Sequence, residues 1–326
     1  MSDEARIERL AQALEAILAD PGAPRPSADP ELTELLRIAH DLRGLPRPAF
    51  KAQLGADLLR RATMTTTTGK ATGETIESVT AYLAVRPAVE LIEFVKQAFG
   101  AQELRRTSGS GGGVHAEVRI GDSTVMIGGG GAWGGTPTPT GLHLYVPDAD
   151  LTYGRALGAG AESLYAPVDQ PYGDREAGVR DLAGNHWYIA THRSGGHVPM
   201  GLGTVTPFLH PRGAPRLIDF LKQAFAAEEV ETHRGPEGAI AHAKIRLGSS
   251  IIEMGEAHGE WRPMPTMFYL YVDDVDAWYR RALAAGAVSM ESPALQPYGE
   301  RRAAVRDAFD NQWYLAEPAS SGSGTR

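Results

Sequence analysis

The stretches "QPYGDREAGVRDLAGNHWYIA" (residues 170–190) and "QPYGERRAAVRDAFDNQWYLA" (residues 296–316) are nearly one sequence written twice, 126 residues apart. The likeness extends outward from them. "ELIEFVKQAFGAQEL" from Glu90 matches "RLIDFLKQAFAAEEV" from Arg216 at the same spacing. "VHAEVRIGDS" from Val114 matches "AHAKIRLGSS" from Ala241 after one inserted residue, and "LYVPDADLTYGRALGAGA" from Leu144 returns as "LYVDDVDAWYRRALAAGA" from Leu270. A period this long exceeds any solenoid unit and fits a duplicated domain. Copy one spans residues 79–192 and copy two residues 203–318, with "RSGGHVPMGL" (193–202) as linker.

Each copy shows the same internal order. "SVTAYLAV" alternates as a strand does. Pro87 then opens a helix whose apolar residues Val89, Ile92, Val95 and Phe99 recur at helical spacing, with Gly100 placed to end it. "QELRR", "VHAEVRI" and "STVMIGG" read as three strands separated by glycine-containing turns. The order repeats: "LHLYV" as strand, "DADLTYGRALGAG" as helix, then "ESLYA", "AGVRD" and "HWYIA" as strands. The expected fold class is α+β: four βαβββ units, two per copy.

Before the repeat lies a different segment. Residues 1–62 carry three short amphipathic patterns, among them Ile7, Leu10, Leu14 and Ile17, and are expected to form a small helical extension able to engage a protein partner. Residues 63–78 read as a flexible tether and 319–326 as a disordered tail.

Composition narrows the class. The chain has 326 residues, 42% of them apolar, a net charge of −8 and no cysteine. Disulfides and thiolate metal sites are thereby excluded. The net negative charge argues against a general nucleic-acid binder, whose affinity comes from neutralising phosphates. No apolar run is long enough for a membrane span, and "MSDEARIERL" lacks the apolar stretch of a secretory signal. A cytoplasmic location is expected.

Paired units of this order, with "G-A" after the second helix and "D-x-x-x-N-x-W" leading into the last strand, resemble the vicinal oxygen chelate superfamily. That superfamily includes glyoxalase I, bleomycin resistance proteins, fosfomycin resistance enzymes and extradiol dioxygenases. The "QPYGDR…VRD…NHWYIATH" ending is most similar to the glyoxalase/bleomycin resistance branch often labelled demethylubiquinone-methyltransferase-like. The resemblance implies sheets curled into open cups and makes the tandem copies look like a fused homodimer. It also implies four inward His, Gln or Glu ligands in members that use a divalent metal. Those positions fall on Thr80, Met126, Gly141 and Tyr188 in copy one, and on Thr206, Glu253, Met267 and Tyr314 in copy two. Only Glu253 among them is a strong ligand type. No cofactor is therefore expected, with a divalent ion on Glu253 and His242 as the alternative. The concave faces are expected to carry mostly tyrosine, methionine and threonine, which favour organic guests.

Further binding candidates come from the strand pattern. His115 and His242 recur at matching places in the third strand. His143 shares a strand face with Gly141, and Tyr269 replaces it in copy two; His186 shares a face with Tyr188, and Gln312 replaces it. These exchanges predict cups of different preference, or a single working cup. The "QPYG" loops offer Tyr172 and Arg175, and Tyr298 and Arg301, for stacking and for an anionic or carbonyl oxygen. Arg180 with Asp181, and Arg306 with Asp307, read as structural pairs in turns; Trp187 and Trp313 read as core. Trp133 and Trp261 sit in loops that suit a flap over a cup mouth, or a loop anchor. No serine nucleophile motif and no phosphate-binding glycine loop is present. The leading expectation is a metal-free binder of an apolar or aromatic small molecule, which sequesters or senses it. The alternatives are a metal-dependent lyase, isomerase or dioxygenase, and a ligand-responsive regulator acting through residues 1–62.

Overall fold

The computed structural model describes residues 76–194, 196–235, 238–259 and 261–317. The expectations for residues 1–62, for the tether up to residue 75 and for the tail from 319 lie outside these. The end of the expected tether is strand: β1 runs Ile76–Val85.

Copy one continues with α1 (Ala88–Phe99), β2 (Gln102–Ser108), β3 (Val114–Ile120) and β4 (Ser123–Gly129). Its second half is β5 (Gly141–Tyr145), α2 (Ala149–Gly158), β6 (Glu162–Asp169), β7 (Asp174–Arg180) and β8 (His186–His192). Copy two repeats the series. Its first half holds β9 (Val205–Leu209), α3 (Ala214–Phe225), β10 (Glu228–Arg234), β11 (Ile240–Leu247) and β12 (Ser250–Met254). Its second half holds β13 (Met267–Val272), α4 (Val275–Ala284), β14 (Val288–Leu295), β15 (Arg301–Arg306) and β16 (Gln312–Glu317).

The local chemistry explains these limits. Gly100 ends α1 at φ 69°, the left-handed cap that glycine takes at little cost. Asp148 and Asp274 cap α2 and α4 by accepting the backbone N–H of Leu151 and of Ala277 at 2.9 Å. The buried face of α1 is Ala88, Leu91, Ile92, Phe94, Val95 and Ala98. The helical spacing was legible, but its face is rotated from the expected one: Val89 is 48% exposed.

Two eight-stranded sheets result, and each mixes the copies. Sheet A has the order β14-β15-β16-β13-β1-β4-β3-β2, and sheet B the order β10-β11-β12-β9-β5-β8-β7-β6. The first half of one copy thus joins the second half of the other. The joints are antiparallel and equivalent: Tyr82 opposite Met267 in sheet A, Phe208 opposite Gly141 in sheet B. Thr140 and Thr266, themselves repeat counterparts, share a buried hydrogen bond through their hydroxyls. A residue touching its own counterpart lies on the pseudo-twofold axis, as in an isologous dimer interface.

The cores, by contrast, follow the copies. One apolar core gathers the buried faces of α1 and α2 with strands of copy one, and Val205 from β9; the other gathers α3, α4 and strands of copy two, and Ile76 from β1. Trp187 and Trp313 are fully buried in them, as expected. Their indole N–H groups donate to Asp181 and Asp307 at 2.8 and 2.9 Å. The same carboxylates accept backbone N–H groups of Ala183 and Asn185, or of Phe309 and Asn311. The two aspartates therefore organise the turns, but not by pairing with their neighbours: Arg180 bonds Glu162, and Arg306 approaches Asp310.

Candidate functional site

The concave face of sheet B holds a cavity of about 680 Å³. Its floor is a chain of buried ionisable groups. His143, on β5, is 6% exposed. Its Nδ1 lies 3.0 Å from Glu253 Oε2 on β12, and its Nε2 lies 3.0 Å from Glu176 Oε2 on β7. His242 Nε2, on β11, approaches the other Glu253 oxygen at 3.2 Å. Tyr165 and Tyr172 donate their hydroxyls to Glu176 at 2.5 and 3.1 Å. Tyr145 OH stands 3.2 Å from His143 Nδ1.

Why these residues meet follows from register. His143 on β5 is paired with Tyr188 on β8 on one side and with Thr206 on β9 on the other. Glu253 on β12 is paired with Phe208 on β9. Alternation along each strand then turns His143, Tyr145, Tyr188, Phe208 and Glu253 to one face.

Both ring nitrogens of His143 face carboxylate oxygens, so both must carry a proton for both bonds to form. Burial alone would lower the pKa of His143; the charges and hydrogen bonds of Glu253 and Glu176 outweigh it and raise it to about 10. Burial pushes Glu253 upward, and the imidazolium overrides it, holding the carboxyl down at about 2. Glu176 is lowered for the same reason, against its own burial. The phenols of Tyr145, Tyr165 and Tyr172 are raised, first by burial and then by these carboxylates.

The walls are aromatic. Tyr188 meets Phe208 edge-on at 5.5 Å and Trp261 at 5.6 Å between ring centroids. Trp261 stacks on His210 at 5.7 Å and 16°. Tyr188 OH shares a 2.8 Å hydrogen bond with His210 Nε2. Burial first, then His186 and His258, lowers the pKa of His210 to about 4. Of the two loop tryptophans, Trp261 lines the cavity.

Cup A, on sheet B's counterpart, is built differently. Met126 and Tyr269 are buried in its floor, with Tyr82, Tyr271 and Tyr314 packed against them. Arg302 stands at the repeat position of Glu176; it bonds Glu291 at 2.7 Å and Tyr298 at 2.8 Å and lies over the Tyr314 ring. Tyr269 donates to Glu300 at 2.6 Å, and Tyr82 OH meets His115 Nδ1 at 3.1 Å.

The sequence-predicted residues therefore divide. His143, Tyr172, Tyr188, His242 and Glu253 come together around the cavity of cup B. His115, Met126, Tyr269, Tyr298 and Tyr314 belong to cup A. His186 touches Tyr188 edge-on but is not part of the cavity lining. Arg175 and Arg301 turn away from the cups: each grips an aspartate in the first turn of a helix, Asp150 at 2.6 and 2.7 Å and Asp276 at 2.6 and 2.8 Å. They tie β7 to α2 and β15 to α4. The expected tyrosine and methionine lining is found in cup A; cup B shares the tyrosines but adds histidines and glutamates.

Sequence reasoning missed Glu176, Tyr165, Phe208 and His210. A signal existed for three of them. At repeat offset, Glu176 faces Arg302, Tyr165 faces Glu291, and His210 faces Ala84. Glu176 reverses charge within the otherwise conserved-length "QPYG" signature.

The four positions that the resemblance assigns to metal ligands fall in cup B on Thr206, Glu253, Gly141 and Tyr188. Glu253 is the one strong ligand type, and its oxygens are engaged by His143 and His242. His143, Glu176, Glu253 and His242 do gather in one concavity, but they are linked to each other in a chain. Among the described residues no group of three or more His, Asp or Glu side chains is placed to hold a metal ion. The residues present do not fit the four-ligand centre.

Comparison with known proteins agrees with the architecture. The model of the "Glyoxalase/Bleomycin resistance protein/Dioxygenase superfamily" matches residues 211–315. An uncharacterized protein of Mycobacterium bovis is 40% identical over 121 residues, covering 33% of this chain and 78% of that protein. An uncharacterized protein of Mycobacterium tuberculosis is 40% identical over 121 residues, covering 33% of this chain and 70% of that protein. Among solved structures, glyoxalase I from Zea mays aligns with a TM-score of 0.60 and 14% identity, over 75% of this chain and 93% of that one, a likeness of fold alone.

Proposed function

We infer that this chain, which belongs to the glyoxalase/bleomycin resistance protein/dioxygenase superfamily, binds a small organic molecule in cup B, without a divalent metal at the four family positions. The carrying observation is the cavity of about 680 Å³ with aromatic walls and a few polar groups at its floor. That combination of size and lining is what small-molecule sites have. Cup A supports the reading by contrast, since tyrosines and Met126 fill the matching floor. In this reading the second copy is not a second binder. It supplies half of cup B and takes half of the packed cup A in return. Sequestration of the ligand is the activity proposed; neither a nucleophile nor a free metal-type ligand set is needed for it.

A thermal-shift screen of aromatic metabolites and natural products, run with and without chelator, tests this. Binding is expected to survive chelation, to be lost in Phe208→Ala with Trp261→Ala, and to be kept in Tyr314→Phe. Stoichiometric zinc, iron, manganese or nickel in protein purified without chelators, lost on Glu253→Ala, would overturn the metal-free reading. Ligand shifts that follow cup A substitutions would overturn the choice of cup.

A further inference from the structure

The floor of cup B holds an odd charge. Glu176 and Glu253 are 7% and 1% exposed, and one imidazolium, His143, lies between them. With His143 as the cation, two carboxylates leave one negative charge in a place shielded from water, where Glu253 also meets His242 at 3.2 Å and Glu176 accepts from Tyr165 and Tyr172. Hydrogen bonds satisfy the carboxylate oxygens but do not cancel the net charge, and burying net charge is costly unless something completes it. The repeat shows that the charge is specific to this cup. The counterparts of Glu176, His143 and Glu253 in cup A are Arg302, Tyr269 and Met126.

Farther up the cavity, carboxylates outnumber lysines and arginines among the described lining residues: Asp174, Glu231 and Glu256 against Lys244. Asp174 meets His192, Glu231 meets Lys244 and His233, and Glu256 accepts the backbone N–H groups of Gly213 and Ala214. The rings of Tyr188, Phe208 and Trp261 line the same space, and aromatic rings attract cations through their quadrupole. Among the described lining residues there is no guanidinium to receive an anion, and Arg175 nearby in the chain is committed to Asp150 and Asp169.

Resting on the binding role of cup B, we propose that its ligand is an organic cation, an amine or quaternary ammonium carried on an aromatic body, with the charge set toward Glu176 and Glu253 and the rings among Tyr188, Phe208 and Trp261. The cavity is the site; the carboxylates decide the class of guest. Cup A, with Arg302 in place of Glu176, does not share the preference.

Three probes of one shape test this on the full chain: 2-phenylethylammonium, 2-phenylethanol and phenylacetate, titrated by calorimetry and by NMR shifts of the Trp261 indole. The ammonium is expected to bind about tenfold more tightly than the alcohol, and phenylacetate most weakly. Glu176→Gln, which makes the floor neutral, is expected to bring the ammonium down to the alcohol's level. Equal binding of ammonium and alcohol by the native protein overturns the inference, and needs no variant to fold. Displacement of the ammonium by millimolar calcium or magnesium would assign the charge to a metal ion and overturn it too. The two readings fail separately. If neutral aromatics bind at Trp261 and the ammonium gains nothing, only the charge assignment falls. If no probe and no member of the screened library binds, the binding role itself falls.

Discussion

At the scale of single residues, His143 is the side chain on which cup B turns. It neutralises one of two buried carboxylates and fixes both by hydrogen bonds of 3.0 Å. Removing one partner of a buried ion cluster leaves uncompensated charge, at a cost of about 3–5 kcal/mol. His143→Gln is therefore expected to destabilise the fold by about that amount at neutral pH, measured by urea unfolding. The pH dependence has a definite sign. The pKa of His143 is raised from 6.5 to about 10, so its contribution is complete below pH 6.5 and is lost as pH rises toward 10. That of Glu253 is lowered from 4.5 to about 2, so its contribution is complete above pH 4.5 and is lost as pH falls toward 2. The native protein should thus lose stability between pH 6.5 and 10 with a slope that His143→Gln lacks. An identical slope in both proteins would place the imidazolium elsewhere. His143 itself was legible from its shared strand face with Gly141. Glu253 was marked as well, but Glu176 was not, and neither was the meeting of both carboxylates with His143, because they arrive from β7 and β12.

At the scale of elements, small differences between the copies shape the cup. In sheet B, Tyr165 on β6 lies opposite Gly178 on β7, and its ring covers the bare backbone. A Cβ at Gly178 would stand 2.4 Å from the Tyr165 ring. In sheet A the corresponding pair is Glu291 with Ala304, where no ring needs the room. The glycine thus lets Tyr165 lie flat and reach Glu176. Gly178→Ala is expected to cost about 1–3 kcal/mol by overpacking. Adding Tyr165→Ala should remove most of that penalty, since the two residues share one contact. A double-mutant cycle by urea unfolding checks it; strictly additive effects would mean the ring has another place to go. The strands and helices themselves were readable, since periodicity and caps act within a few residues. The rotated face of α1 was not. Val89 and Leu91 are both apolar, and only contact with the sheet decides which one is buried.

At the scale of the whole molecule, the duplication does something neither copy does alone. Cores follow the copies, while sheets run across them. A copy cut free would keep its core but expose β1 and β5, or β9 and β13, as open sheet edges. Open edges of this kind pair with whatever strand is at hand. Residues 76–194 and 203–317 made as separate fragments are expected to associate with each other, or each with itself, and not to persist as monomers. Analytical ultracentrifugation reads this directly; two stable, folded monomers would contradict the shared sheets. Because every cup needs both copies, Glu253 of the second can complete a floor begun by His143 and Glu176 of the first. The pseudo-twofold axis through Thr140 and Thr266 leaves the two cups free to diverge in their linings.

The sequence by itself determined the repeat, the order of strand and helix within it and the family, because these rest on spacing along one chain. The family resemblance marked Tyr188 and Glu253 as inward-facing, and alternation, a local rule in a strand, added His143 from its shared face with Gly141. Only the tertiary structure decided which half joins which. Hydrogen bonds between β1 and β13, and between β5 and β9, link residues far apart in the chain, and no local pattern encodes that choice. With the pairing came the chemistry: two carboxylates and an imidazole from three separate strands became one buried, charged floor.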